Sequence, residues 1–135
     1  MTEEKYVVIK RYGDHLGLFS YVITNIGNIN KVIQEGKIPV IDMQTYPNAY
    51  LEEGEVGLKN AWEFFFEQPM NISLKDIEGK KWEELTSVPR NRPNDSMSFF
   101  LNKKKRDYWK KIAQKYIRLN YGTRKVIEKE ERNLF

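Results

Sequence analysis

"KYVVIKRYGDHLGLFSYVITNIGNINKVIQEGKIPVIDM", residues 5–43, joins a β-branched and aromatic run, a glycine-containing loop, a long patterned segment and a second apolar run. The first run is typical of a buried strand that closes before Gly13. From Gly17, apolar residues recur at intervals of three and four, which predicts a helix with Gly36 in the C-cap position. "KIPVIDM" predicts a second strand. The order strand, helix, strand is that of a βαβ unit, so we expect the two strands to be parallel.

Beyond Met43 the pattern weakens into a loop, "QTYPNAYLEEGEVG", rich in turn-forming residues. The aromatic residues of "NAWEFFFEQPM" are expected mainly in the core. In "SLKDI", Ser73 and Asp76 have the spacing of a capping box. Helical period returns from Leu101 to Leu119, and a last helix is predicted from about Thr123. The fold class predicted is therefore α/β, a Rossmann-like βαβ unit with additional helices.

Composition limits the possible chemistry. The chain of 135 residues has the length of one domain, and it has no cysteine and a single histidine. Disulfides and thiolate metal sites are excluded, a histidine-based zinc site is not expected, and no cofactor is predicted. The apolar run at the N-terminus is too short for a signal peptide or a membrane span, so a cytoplasmic protein is expected.

Positive charge is concentrated in residues 103–125, which contain ten Lys or Arg against one acid, Asp107. The aromatic residues Tyr108, Trp109 and Tyr116 fall on the helical face opposite most of the lysines. This separation favours an amphipathic helix with a solvated exterior. Two other interpretations remain open, contact with an anionic membrane or glycolipid surface and non-specific contact with nucleic acid.

Three blocks in order carry a resemblance to a known family: the glycine loop after the first strand, "IPVIDM" followed by an aromatic-Pro-Asn turn, and "NAWEFFFEQP". Together, over about residues 5–77, they resemble the amino-terminal part of bacterial glycosyltransferases related to the GDP-fucose O-fucosyltransferases and the rhizobial nodulation fucosyltransferases. The resemblance implies a GT-B-like enzyme whose two Rossmann-like halves face a cleft, with most of the donor site in the carboxy-terminal half. Residues 1–135 would then be the acceptor-side half, truncated before the donor-binding half and inactive alone.

The candidate substrate-binding residues are His15, Gly17, Asp42, Tyr46 and Asn48. The loop at 13–17 offers backbone N–H groups to an anion, and His15 is its only cation, although the glycines could simply turn the chain. Asp42 follows the second strand, where it could bind sugar hydroxyls, act as a base or cap the next loop. Tyr46 and Asn48 offer a stacking face and an amide to a carbohydrate, or they pack the loop.

The function that the resemblance implies is sugar transfer from a nucleotide donor, of the GDP-fucose kind, in surface polysaccharide biosynthesis. The expected partners are the sugar nucleotide, a glycan or glycolipid acceptor and the donor-binding half of the same enzyme, with peripheral membrane contact and no specific nucleic acid. The alternative is a basic, non-enzymatic module that binds nucleic acid or an anionic surface.

Overall fold

A computed structural model describes residues 3–13, 16–88, 91 and 94–134. This part of the chain contains three strands, β1 (Tyr6–Arg11), β2 (Ile38–Ile41) and β3 (Trp82–Ser87), and three α-helices, α1 (Leu18–Gln34), α2 (Lys103–Tyr116) and α3 (Tyr121–Leu134). Short 3-10 turns occupy Glu53–Glu55, Ala61–Phe64, Lys75–Ile77 and Ser96–Phe100. No helix within the described ranges is long and apolar enough to cross a membrane.

The sheet has the order β2-β1-β3, and β1 pairs in parallel with both neighbours. Val8 of β1 lies opposite Val40 of β2 and opposite Glu84 of β3. The parallel βαβ unit predicted for β1, α1 and β2 is confirmed. The molecule is α/β, and its small parallel sheet is compatible with a Rossmann-like half-domain.

The two faces of β1 bury different clusters because successive strand side chains point in opposite directions. Val7 and Ile9 pack on one face in the main core with Tyr21 and Ile29 of α1 and with Trp62. The opposite face forms a smaller cluster around Tyr6, Val8, Val40 and Ile77. Since full burial of one such side chain stabilises the fold by about 1.5–3 kcal/mol, these contacts hold α1 on the sheet.

The end of α1 is formed as predicted by Gly36. Its φ of +73° lies in the left-handed region, which glycine adopts without the steric cost of a Cβ. The N–H of Gly36 donates to the Ile33 carbonyl at 2.9 Å, and that of Lys37 donates to the Val32 carbonyl at 3.1 Å. These bonds satisfy carbonyls that the helix itself leaves open and direct the chain into β2.

Strand β3 is the main element that the sequence pattern does not predict. Its residues, "WEELTS", include two glutamates, and its first half is exposed. Lys10 pairs with Glu84 at 2.9 Å and Lys37 with Glu83 at 2.8 Å, so the charges are satisfied on the sheet surface. A strand at an edge, stabilised by partners far away in the sequence, shows neither strict alternation nor an apolar run.

The aromatic block is only partly core. Trp62 and Phe66 are buried, whereas Phe64 is 39% exposed, so the prediction was wrong for that residue. The capping contacts of Ser73 and Asp76 are confirmed, because the Ser73 N–H donates to the Asp76 carboxylate at 2.9 Å and the Asp76 N–H donates to Ser73 Oγ at 3.4 Å.

Helix α2 is shorter than predicted. It begins after Asn102, whose side-chain oxygen accepts from the Lys105 N–H at 2.9 Å, so Leu101 lies outside the helix and is exposed. Tyr108, expected on the inner face, is 41% exposed. Helix α3 begins near the predicted position, and its apolar residues Val126 and Ile127 face solvent.

Candidate functional site

The candidate site lies at the edge of the sheet where the parallel strands end. Arg11, Ile41 and Ser87 are the last residues of the three strands, and α1 begins nearby at Leu18. The central strand is β1. The crossover through α1 leads from β1 to β2 on one side of it, and β3 lies on the other side. Such a switch point opens a crevice outside the carboxyl ends of the strands, where open α/β sheets bind ligands.

Asp42 lies at this edge, and its side chain is engaged by the following loop. Its Oδ1 accepts from the backbone N–H of Gln44 at 2.7 Å and of Thr45 at 3.0 Å, and its Oδ2 accepts from Thr45 Oγ1 at 2.6 Å. The residue is 1% exposed. These are the contacts of the loop-capping alternative, because both carboxylate oxygens already have donors.

Lys10 connects the strands beside Asp42. Its Nζ lies 2.9 Å from Glu84 Oε1 and 3.8 Å from Asp42 Oδ2. Desolvation of the partly buried amine opposes protonation, but the hydrogen bond to Glu84 and the charge of Asp42 outweigh it and raise the pKa of Lys10. Hydrogen bonds from Thr86 and then Lys10 lower the pKa of Glu84. The Lys10 ammonium group therefore interacts with two carboxylates, those of Glu84 and Asp42.

Tyr46 is buried, at 6% exposure, and offers no open stacking face. Its ring meets that of Tyr12 edge-on with centroids 4.8 Å apart, and its hydroxyl accepts from the Arg11 N–H at 3.4 Å. Burial raises the pKa of the Tyr46 hydroxyl well above its ordinary value. In this arrangement Tyr46 packs the loop against the end of β1.

Asn48 organises the same loop with both ends of its amide. Its Nδ2 donates to the Met43 carbonyl at 3.0 Å and to the Tyr46 carbonyl at 3.4 Å, and its Oδ1 accepts from the Tyr50 N–H at 3.0 Å. An amide that spans the loop in this way holds the backbone of residues 43–50 in one conformation. These hydrogen bonds therefore restrain the backbone of the loop.

Gly17 is the N-cap residue of α1. Its carbonyl accepts from the Ser20 N–H at 3.1 Å, its φ is −77°, and a Cβ at this position would meet nothing within 4 Å. Neither backbone conformation nor space requires glycine at this position. His15 lies outside the described residues, so its predicted role stays a prediction.

Phe19, in the first turn of α1, is 68% exposed. Its helix starts on the side of the sheet where the parallel strands end. Phe19 was not among the predicted site residues. In the sequence, Phe19 is an aromatic residue near the start of the predicted helix that lies outside the apolar face of that helix.

A row of buried polar side chains on α1 follows Phe19. In the described part of the chain, Tyr21 Oη, Thr24 Oγ1 and Asn25 Oδ1 are buried without a hydrogen-bond partner. Burial raises the pKa of Tyr21, against the opposing charge of Arg11. Unpaired buried polar atoms cost about 1–3 kcal/mol each, so this row lowers the stability of the fold. The signal for it was polar residues inside an otherwise apolar helical stripe.

Asn28 continues the row and links α1 to the segments after β3. Its Nδ2 donates to Ser87 Oγ at 3.1 Å, and its Oδ1 accepts from Asn94 Nδ2 at 3.2 Å. Ser96 Oγ donates to the Ile23 carbonyl at 2.8 Å. These contacts join residues far apart in sequence, and no local pattern predicts them.

The "NAWEFFFEQP" block closes the outer edge of β2. Asn60 Oδ1 accepts from the Met43 N–H at 3.0 Å, and Gln68 Oε1 accepts from the Ile41 N–H at 2.8 Å. Both amide nitrogens donate to the Ile41 carbonyl, at 2.8 and 2.9 Å, and to Glu63 Oε2, at 3.2 and 3.0 Å. The two side-chain amides thus form hydrogen bonds with the backbone at the edge of β2 that a neighbouring strand would otherwise form. Asn60 also accepts from the Trp62 N–H at 3.2 Å, as a cap.

Glu63 and Glu67, four residues apart, do not share the face of an α-helix. The segment is a short 3-10 turn, and Glu67 Oε2 accepts instead from Arg118 Nε at 3.1 Å. Arg118 also donates to the Gln68 carbonyl at 2.9 Å, which ties the end of α2 to this block.

Within residues 3–13, 16–88, 91 and 94–134, no group of three or more His, Cys, Asp or Glu side chains could hold a metal ion. No family model, curated protein or solved structure matches the chain.

Proposed function

We propose that the chain is the acceptor-side, Rossmann-like half of a GT-B-like, inverting glycosyltransferase that uses a sugar nucleotide, of the GDP-fucose kind. The proposed setting is cytoplasmic assembly of a surface polysaccharide. The three-block resemblance over residues 5–77 supports the class of enzyme. The parallel sheet with its switch point supports a ligand site at a rim formed by residues 16–20, at the start of α1, and by the 44–50 loop.

One observation carries the proposal to carbohydrate: Phe19, in the first turn of α1, presents an exposed aromatic ring. Sugars place C–H faces on aromatic rings and exchange hydrogen bonds with nearby polar groups. Thr45, Pro47 and Ala49 of the neighbouring loop are exposed, whereas Tyr46 and Asn48 hold that loop in shape. We therefore assign the stacking position to Phe19 and a supporting position to Tyr46 and Asn48.

The rim lacks accessible positive charge for a leaving diphosphate, in the part that is described. Arg11 is 2% exposed and donates to the Tyr12 carbonyl at 3.1 Å, while Lys10 pairs with Glu84 and Asp42. Direct attack by an acceptor hydroxyl on the anomeric carbon needs fixed cations or hydrogen-bond donors at the departing phosphate. In this proposal those groups come from a donor-binding half.

The test is binding of acceptor-like oligosaccharides to the 135-residue chain, followed by amide chemical shifts in two-dimensional NMR spectra. We expect shifts clustered at residues 16–20 and 44–50. Phe19→Ala should abolish them, and Tyr121→Ala, which removes another exposed aromatic ring on α3, should leave them unchanged. Shifts centred on α2, or binding that survives Phe19→Ala, would contradict the proposed site.

Calorimetry tests whether the donor-binding site lies in a separate half of the enzyme. With GDP-fucose and GDP-mannose we expect no binding tighter than about 1 mM, equivalent to roughly −4 kcal/mol. Micromolar donor binding by this chain would show that the nucleotide site is complete within it.

The alternative, a nucleic-acid module, receives less support from the aromatic residues of α2. Tyr108 Oη accepts from Gln34 Nε2 at 2.9 Å and donates to Asn30 Oδ1 at 3.0 Å, and Trp109 Nε1 donates to Ser98 Oγ at 2.6 Å. Both rings are thus anchored to neighbouring segments. A platform for stacking bases needs aromatic faces that lie open among the cations.

A further inference from the structure

The first nine residues of α2, 103–111, form a dense cationic surface. Its cations are all exposed, and none of them forms an ion pair with a described residue. They are Lys103, Lys104, Lys105, Arg106, Lys110 and Lys111. Elsewhere in the described chain, lysines such as Lys10, Lys31 and Lys37 pair with carboxylates. The α2 cations therefore keep their charge available to a partner.

Several of these cations lie at the amino end of α2, where positive charge destabilises a helix. The first turn of α2 contains no acidic residue and begins with Lys103. The amino end of a helix already carries partial positive charge, so cations there cost a few tenths of a kcal/mol each. Helix stability alone favours acids at these positions, and an anionic partner would reverse the effect.

Apolar side chains adjoin this surface. Leu101 is 72% exposed, Phe100 is 68% exposed and Met97 is 42% exposed, all in the segment that leads into α2. Exposed apolar residues next to clustered cations form the combination that enters the boundary between lipid headgroups and acyl chains.

Three of these cations line a depression on the surface of α2. It has a volume of about 510 Å³ and is open to solvent, and it is lined by Lys103, Lys104, Asp107, Tyr108 and Lys111. Three lysines and one acid give it a net positive lining. Lysine ammonium groups are point charges suited to a diffuse anionic layer, whereas bidentate phosphate recognition favours arginine.

We propose that this surface, Met97 to Lys111, docks the protein on a membrane rich in anionic phospholipids, with lysines at the headgroups and Leu101 and Phe100 at the acyl boundary. The proposal does not depend on sugar transfer. Charge complementarity selects the lipid class, and the exposed aliphatic side chains of Leu101 and Met97 suit a lipid surface rather than nucleic acid, whose bases stack on aromatic rings.

The experiment is flotation of the 135-residue chain with vesicles of phosphatidylcholine, alone or mixed with phosphatidylglycerol. The variant Lys103→Gln/Lys104→Gln/Lys111→Gln should weaken binding to the anionic vesicles by roughly a hundredfold. The matched control Lys75→Gln/Lys81→Gln/Lys129→Gln removes the same charge from other exposed positions and should bind like the wild type. Circular dichroism verifies that both variants are folded.

A second pair of variants separates insertion from simple charge attraction. Leu101→Ser should remove the part of the binding that persists as salt is raised, whereas Leu58→Ser, at a position 76% exposed, should not. Equal binding to both vesicle types, equal loss in the two lysine variants, or no effect of Leu101→Ser would overturn the proposal. Tighter binding to duplex DNA than to anionic vesicles at the same salt would assign the surface to nucleic acid instead.

Discussion

The carbonyl oxygen of Asn94 lies 1.5 Å from the position that a Cβ on Gly27 would occupy. Gly27 is in the middle of α1, where glycine lowers helix stability by about 1 kcal/mol relative to alanine. Glycine is needed at this position because the backbone of Asn94 and Ser96 crosses directly over the helix and leaves no space for a side chain. This crossing brings Asn94 within reach of Asn28 and Ser96 within reach of the Ile23 carbonyl.

Gly27→Ala should therefore destabilise the chain by about 1–3 kcal/mol despite the better helix propensity of alanine, because the obstructing atoms are backbone and must move. Gly122→Ala, in α3, is the matched control. The nearest atom to its Cβ is 3.8 Å away, so we expect a gain of up to about 1 kcal/mol. Urea unfolding of both variants measures the difference. A stabilised Gly27→Ala would mean that the crossing is looser than described.

Thr24 offers the reverse case, a polar group whose removal should help. Its hydroxyl is buried without a partner among the described residues, so Thr24→Val, which keeps the shape, should raise the free energy of unfolding by up to about 1 kcal/mol. Ser96→Ala is the control, since it breaks the 2.8 Å bond to the Ile23 carbonyl and should cost about 1 kcal/mol. Destabilisation by Thr24→Val would show that the hydroxyl has a partner in solution.

The βαβ unit could be predicted because its signals are local. Apolar runs mark β1 and β2, a three-to-four spacing marks α1, and Gly36 terminates it through a backbone angle that glycine favours. Strand β3 could not be predicted in this way. Its glutamates are stabilised by Lys10 and Lys37, which come from distant parts of the chain.

In the candidate site, too, the location of a residue could be predicted from local sequence, whereas its contacts with distant residues could not. The end of a strand is a local feature, so Asp42 was placed correctly at the edge of the sheet. The burial of Tyr46 depends on Tyr12, and the exposure of Phe19 depends on how α1 meets the loops, so neither follows from spacing along the chain. Residues that hold the rim and residues that form its surface are therefore distinguished only in three dimensions.

Lys10 predicts a pH dependence at the alkaline end. Its folded-state pKa is raised, so its contribution to stability is fully present below the unfolded pKa of about 10.4 and is lost as pH rises through the folded value. The stability difference between the wild type and Lys10→Met should thus shrink above pH ~10.4. The control Lys129→Met, at an exposed position, should show no such change. A difference that stays constant through this range would contradict the pairing with Glu84.

Asp42 provides the last test, because the capping role and a sugar-binding role predict different losses. Asp42→Ala leaves the N–H groups of Gln44 and Thr45 without their acceptor, so it should destabilise the chain by about 2–4 kcal/mol. Asp42→Asn retains one oxygen for these two donors and loses mainly the charge beside Lys10, so we expect a cost of about 1 kcal/mol. Urea unfolding measures both values, and oligosaccharide binding is compared in the folded Asp42→Asn variant. Binding equal to that of the wild type assigns Asp42 to loop capping alone, because its negative charge is then dispensable for binding. Loss of binding with little loss of stability would instead place the carboxylate in contact with the sugar.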